Sequence, residues 1–401
     1  MQNKVKVSAI FLILLGLIAL AVGCGPKPIK QQSVMDTPDY HYQMGMREFN
    51  RGNLQAAAEE FGRAKALDPK YPGAYVGMAL VQCKQGNFKD AYKSVDKGID
   101  LNDKFLEGYI VKGRIITKEH KGDKWVEKAV KQYNKALKKA EELQKKDPNM
   151  RDQARKWAEE AYFYMGKTYE NAFKFRDAES AFSRVVEMKG DYAQKANSEW
   201  ELVQKIVRAA PGTKIGAKIA LIPEIDRADL AVLLIEELKL LDVFQKRRPK
   251  TFDTGFHPPA DPTKFKEAVQ SNAIQIPDIK NHWARHWIEE IVTVGGMSLY
   301  PDHTFKPDQK ITRADFANTV QNILIAVTGD QSLATKYIGE PSHFPDVPST
   351  HWAYNAITLC VDRGIMHANK IDGSFGLTKP VSGADALLMI RDFQNALRMT
   401  F

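Results

Sequence analysis

Apolar side chains in the first half of this chain recur at intervals of four and then three. Ala57, Phe61 and Ala64 form one set, and Ala91, Val95 and Gly98 repeat it 34 residues later. Ala129, Tyr133 and Ala136 give a stretched copy, and Ala178, Phe182 and Val185 a fourth. Such spacing places each set on one face of an α-helix. Small residues at the outer places admit a close neighbour, and the larger one between them fills the gap; Val185 is the exception. The helix before each set repeats as well: Tyr75 and Ala79, Tyr109 and Gly113, Tyr162 and Gly166, with His41 and Gly45 in the first unit. Gly52-Asn53 and Gly86-Asn87 mark turns between paired helices. The third unit departs, with an enlarged turn around Lys118 to Lys124 and a long second helix. The pattern predicts four helix pairs over roughly 38–208.

The second half carries a different repeat. Ile276-Pro277-Asp278-Ile279 precedes Asn281-His282-Trp283-Ala284, and Phe344-Pro345-Asp346-Val347 precedes Thr350-His351-Trp352-Ala353. The first copy continues through Tyr300-Pro301-Asp302-His303-Thr304-Phe305-Lys306-Pro307 to Ile311-Thr312-Arg313-Ala314-Asp315-Phe316. The second continues through Asp372-Gly373-Ser374-Phe375 to Val381-Ser382-Gly383-Ala384-Asp385. A degenerate third copy stands earlier, at Ile225-Asp226-Arg227-Ala228-Asp229-Leu230, without the opening signals; the helix around Trp200 is its nearest substitute. About 30 residues from Gln245 to Gln275 separate it from the next copy as an insertion or connecting loop. Trp283 and Trp352 each open an amphipathic helix and are expected to bury most of their rings. Asp302 and Gly373 fall in turns that need capping or unusual backbone angles. Thr312 reads as an N-cap, and Arg313 as an outward-facing residue on the first turn.

At the N-terminus, Lys4 and Lys6 precede an apolar run from Ile10 to Val22, which ends in Ala21-Val22-Gly23-Cys24. A charged start, an apolar stretch of this length and a small-residue cleavage site describe a secretory signal. Residues from Gly25 to about Asp36, with Pro26 and Pro28, read as a flexible leash.

Three resemblances rest on these residues. The cysteine after the small residue resembles the bacterial lipoprotein lipobox, although Ala21 stands where leucine is often found. It implies lipid on Cys24 and removal of residues 1–23. Gly25 after the cysteine favours the outer membrane in a diderm host. The helix pairs resemble the tetratricopeptide repeat, which implies a curled stack holding a protein partner in its concavity. Asn50, Lys84 and Lys118, with Arg114 nearby, trace one face of the first helices, and Lys167 and Asn171 hold the matching places in the fourth unit. They are candidates for gripping an acidic segment of that partner; ordinary solvent-facing polar residues give the same pattern. The second repeat closely resembles the S-layer homology motif. That family forms a three-part spindle whose grooves bind anionic wall glycan. The resemblance makes Arg227 and Arg313 the ligand candidates, each offering a planar fork to a carboxylate, with Trp283, Asp302 and Trp352 beside them. Gly383 has no side chain for that role.

The chain has 401 residues, enough for two or more domains, and 44% of them are hydrophobic. Its net charge of +9 favours anionic partners, though much of it lies between Lys118 and Lys156, where Glu127, Glu141 and Glu142 interleave as on a solvated helix face. Nucleic acid is not expected of an exported chain. Cys83 and Cys360 fall in different domains and read as buried apolar residues rather than a disulfide. His282 and His286 stand four apart, but no glutamate follows as a zinc protease needs and no third ligand is evident. Glu59-Glu60 and Glu289-Glu290 belong to charged helices. No nucleophile elbow or phosphate loop is present, so neither enzyme, metal nor cofactor is expected.

The expected molecule is all-α, a tetratricopeptide solenoid followed by a mostly helical three-motif S-layer homology domain. Its parts are a signal peptide at 1–23, a tether at 24–37, a repeat array with a capping helix at 38–208, and the S-layer homology domain at 209–401. The motifs fall at about 190–243, 276–325 and 344–395. The expected role is non-enzymatic: an envelope lipoprotein linking a membrane to peptidoglycan or wall-linked glycan and scaffolding a protein partner. The alternative is an assembly factor or pilotin-like chaperone whose C-terminal motifs are only structural.

Overall fold

The computed structural model describes residues 28–247 and 276–399. The signal segment, Cys24 and most of the Gln245–Gln275 insertion lie outside the described residues. The chain divides into two compact units, 1–198 and 199–401, and the division falls within one helix, α9 (Ala193–Ala209). The described residues are helical, with no extended strand and only two isolated β-bridges, Asp226 to Lys310 and Thr312 to Pro380.

Unit 1 is a solenoid of helix pairs: α1 (Pro38–Arg51) with α2 (Leu54–Leu67), α3 (Pro72–Lys84) with α4 (Phe88–Leu101), α5 (Glu107–Glu119) with α6 (Trp125–Lys146), and α7 (Arg151–Asn171) with α8 (Phe175–Met188). Successive pairs pack α2 on α3, α4 on α5 and α6 on α7. Every member of the four-three sets is buried. The central residue of each set works as a knob against the helix before it. A β-carbon built on Gly45 would lie 2.5 Å from the Phe61 ring, one on Gly113 2.5 Å from Tyr133, and one on Gly166 2.6 Å from Phe182. In the second unit the small place holds Ala79, one methyl larger, and the knob shrinks to Val95 in the same core. The volume across each contact is thus kept nearly constant, as close packing requires. Gly52 and Gly86 turn between helices with positive φ of 88° and 81°.

The leash differs from its expectation within the described residues. The Ile29 amide donates to the Ala66 carbonyl at 3.0 Å, at the end of α2. The Gln32 amide donates to the Asp36 carboxylate at 2.7 Å. Asp36 is buried and gripped by both Nε and a terminal nitrogen of Arg63, which holds its carboxyl far below the usual range. Segment 29–36 is therefore docked; a polar composition concealed one buried carboxylate with a cationic partner.

Unit 2 comprises α10 (Lys214–Ile219), α11 (Arg227–Glu236), α12 (Leu240–Arg247), α13 (Arg285–Thr293), α14 (Arg313–Thr328), α15 (Tyr354–Asp362) and α16 (Gly383–Met399). Three short extended segments meet before α11, α14 and α16. The Ile311 amide donates to the Ile225 carbonyl (3.1 Å), Ile225 to Val381 (2.9 Å) and Val381 to Ile311 (3.0 Å). These bonds close a ring, so no segment is left with an open edge. Ile225, Ile311 and Val381 are all buried at its centre. The next residue caps each helix: Asp226, Thr312 and Ser382 accept the amides of Asp229, Asp315 and Asp385. At Thr312 and Asp226 the acid answers by accepting the cap's own amide, a full capping box. Cys83 and Cys360 are both free and buried.

Candidate functional site

The two arginines of unit 2 have environments that match atom for atom. Arg313 Nε donates to the Phe375 carbonyl (2.8 Å) and its terminal nitrogen to the His367 carbonyl (2.7 Å). Arg227 donates to Phe305 (2.8 Å) and Ser298 (3.0 Å) in the same manner. Each guanidinium lies over the ring whose carbonyl it binds, 4.4 Å from Phe375 and 4.6 Å from Phe305. Burial lowers both pKa values from the ordinary arginine range. Arg313 is therefore not the outward-facing residue expected from its place on the first turn, and Arg227 is held in the same way. Each clamps the loop of the following motif to its own helix.

The same loops are held from the other side by aspartates. Asp278 accepts the Phe305 and Lys306 amides, and Asp346 those of Phe375 and Gly376. The repeated proline-aspartate signal is thus a loop anchor, a role that spacing alone did not reveal. Its partners lie nearly 30 residues ahead, and only the fold brings them to it. Asp302 sits in an exposed turn, where it accepts the Thr304 amide (3.0 Å) and hydroxyl (2.6 Å). Those bonds lower its pKa. Gly373 has a positive φ of 73° in the corresponding turn.

The third junction is built differently. At Gly383 a β-carbon would lie 1.8 Å from the Ile219 carbonyl oxygen. The Gly383 amide donates to the Ile222 carbonyl at 2.9 Å. Backbone occupies the space that an arginine takes at the other two junctions, which accounts for glycine there.

The tryptophans also differ from expectation. Trp283 is 54% exposed and Trp352 63%. The core positions of these helices go to Ala284 and Ile288, and to Ala353 and Ile357. The histidines before the tryptophans act as turn caps: His282 Nδ1 accepts the Ala284 amide and His351 Nδ1 the Ala353 amide, both at 3.2 Å. The indoles are left facing outward, and Trp283 stands 6.0 Å from Trp287 on the next turn. His286 lies 3.2 Å from Glu290. Among the described residues no group of three or more histidine, cysteine or acidic side chains has metal-binding geometry.

A cleft of about 350 Å³ opens beside Arg313, lined by Lys205, His367, Asn369, Ser374, Lys379 and Asp385 among others. Asp385 is its acid, and Lys205 lies 2.9 Å from it. Lys379 has no ion pair among the described residues. The cleft is basic, and aromatic carbon backs it at Phe375.

Unit 1 carries a second cleft, of about 610 Å³. Five of the six residues traced along one helix face line it: Lys84, Arg114, Lys118, Lys167 and Asn171. Asn50, exposed on α1, is not among them. Lys84 and Lys118 form no ion pair among the described residues. Lys167 is 2.7 Å from Glu170, and Asn171 donates to the Lys167 carbonyl. Arg114 lies 4.0 Å above the Tyr164 ring and 3.8 Å from Glu160. Burial, and then the nearby Glu107, push Glu160 up to about 8. This half-buried acid was not singled out in the sequence, where it is one of many glutamates on charged helices.

No helix among the described residues is long and apolar enough to cross a membrane. Residues 275–317 and 343–387 match the S-layer homology domain family. A cellulosome-anchoring protein of Acetivibrio thermocellus is 37% identical over 98 residues, 24% of this chain and 20% of that protein. Cell surface glycoprotein 1 of the same organism is 36% identical over 112 residues, 27% of this chain and 5% of that protein. The match thus spans a fifth or less of either relative. A crystal structure of a thermophilic TPR protein from Thermus thermophilus aligns with 42% of this chain and 98% of its own, at 16% identity and a TM-score of 0.27. The chain carries two S-layer homology motifs in its second unit.

Proposed function

We propose that this protein is a non-enzymatic envelope lipoprotein that ties a membrane to an anionic wall polymer and presents a docking groove for a protein. Lipid on Cys24 provides the membrane end, on the periplasmic face of the outer membrane in a diderm host. Unit 2 provides the wall end, and the degenerate segment at Ile225–Leu230 serves as its first motif. The observation that carries the wall reading is the basic cleft beside Arg313, lined mostly by residues of the two matched motifs. Lys205, Lys379 and the remaining N–H groups of Arg313 suit a carboxylate on a glycan. Exposed Trp283 and Trp352 offer flat faces to sugar rings. The cellulosome-anchoring relative supports the same direction.

In unit 1, Lys84 and Lys118 have no ion-pair partners among the described residues and face a cleft of peptide-binding size, so an acidic segment of a partner is the fitting occupant. Pelleting tests the wall reading. The mature chain with Cys24→Ser should sediment with purified cell-wall sacculi. Lys379→Ala and Trp352→Ala should each weaken that sedimentation at unchanged melting temperature. A wild-type chain that stays in the supernatant would favour the alternative, an assembly factor whose second unit is only structural.

A further inference from the structure

Exposed apolar side chains recur along the N-terminal stretch of unit 1. Val34 is 92% exposed and Met35 62%, with Ile29 and Tyr40 beside them in sequence. These four make up half of the large hydrophobic side chains exposed among the described residues, yet they fall within a dozen positions. Soluble surfaces scatter such side chains singly, so four within a dozen positions of a backbone held in place mark a candidate interaction segment.

The backbone that displays them is held in place. Ile29 is bonded to the end of α2, and Asp36 is clamped by Arg63. The Asp36 carboxylate also meets His41 Nε2 at 2.8 Å, while Glu60 meets the other ring nitrogen at 2.6 Å. Val34 and Met35 occupy the turn between these two attachments. Lys30, exposed beside them, has no ion pair among the described residues.

Cys24 precedes Pro28 by four residues. Four residues of chain reach at most about 14 Å. A lipid on Cys24 therefore holds this stretch within reach of the headgroups. We propose that residues 29–40 form a second membrane contact, in which Val34 and Met35 enter the bilayer interface and Lys30 meets lipid phosphate. The inference rests on the lipid-anchored reading of Cys24. An acyl anchor is strengthened by a second signal, and apolar side chains beside a lysine are one. With both, the first helix pair stands at a fixed angle to the bilayer instead of swinging on a leash.

Photocrosslinking in cells that make the full chain tests this. A benzophenone-bearing residue is placed at position 34 or, as a control, at position 93, where exposed Lys93 sits on α4. Illumination should give a phospholipid adduct from position 34 at least tenfold above that from position 93. An adduct to another protein or to a second copy of this chain, or no adduct above the control, would overturn the contact. Fractionation of the same cells reads the anchor separately. Protein that pellets with membranes but gives no lipid adduct overturns the contact and leaves Cys24 standing. Protein found in the soluble fraction overturns both.

Discussion

The solenoid and the ring solve one problem in opposite ways. In unit 1 each helix pair buries its knobs against its neighbours, and the stack ends wherever the repeats end. In unit 2 three segments satisfy one another in a circle, and none is terminal. An open stack tolerates variation locally: an enlarged turn between α5 and α6, or Val95 against Ala79, is absorbed where it occurs. A ring has to close, so its third junction answers for any misfit in the first two. At that junction Gly383 leaves room for the Ile219 carbonyl.

Breaking the ring at its third junction should have the largest effect. Gly383→Ala places a β-carbon against the Ile219 carbonyl, a backbone atom that cannot rotate away. A loss beyond the roughly 3 kcal/mol of ordinary overpacking is expected. Calorimetry should show the transition of unit 2 lost or displaced while that of unit 1 persists. Arg313→Ala comes next, because it removes two charge-assisted bonds and leaves two carbonyls without them. A cost of about 3 kcal/mol is expected, seen as a lower urea midpoint at unchanged slope. The outward-facing placement read from the sequence implies no stability change, and a wild-type midpoint would restore it.

In the stack, Gly113→Ala should push the Tyr133 ring and cost about 1–3 kcal/mol. Pairing it with Tyr133→Leu should recover part of the loss, because the misfit is shared by two neighbours only. Thermal unfolding of the two single variants and the double variant measures that recovery. A double variant no better than the sum would place the contact elsewhere.

Glu160 gives unit 1 a pH signature. Its folded pKa of about 8 lies above the ordinary glutamate value of 4.5, so the folded state takes up the proton more readily. The contribution to stability is complete below about 4.5 and is lost as the pH rises through about 8. Glu160→Gln should flatten that decline, as melting temperatures from pH 5 to 8.5 would show. The smallest change is expected for Trp283→Ala, within about 1 kcal/mol, because over half of the residue already faces water. A severe loss of stability would return the ring to the core, as its place at the helix start first indicated.

The solenoid was legible because its signal is local. Four-three spacing and small-residue positions name helix faces directly, and the face through Lys84, Lys118 and Lys167 led to the cleft. The proline-aspartate and histidine-tryptophan signals of unit 2 are local in the same way. Side-chain direction at the junctions was not legible. Arg313 and Trp283 both stand where a helix begins, and the helical period assigns neither to inside or outside there. Their directions depend on a loop some 60 residues later, in the case of Phe375, and on a turn capped by His282. Asp36 was hidden by its company, since a lone acid among prolines and glutamines gives no hint of Arg63.

The ring also sets an order of events. Its last hydrogen bond joins residue 225 to residue 381, whereas every helix pair in the solenoid is made between near neighbours in the chain. Contacts of long sequence separation form slowly. A chain emerging from its N-terminus completes the solenoid while the second unit still lacks its closing segment. The second unit therefore closes its ring only once residue 381 is available, after the solenoid has already taken shape.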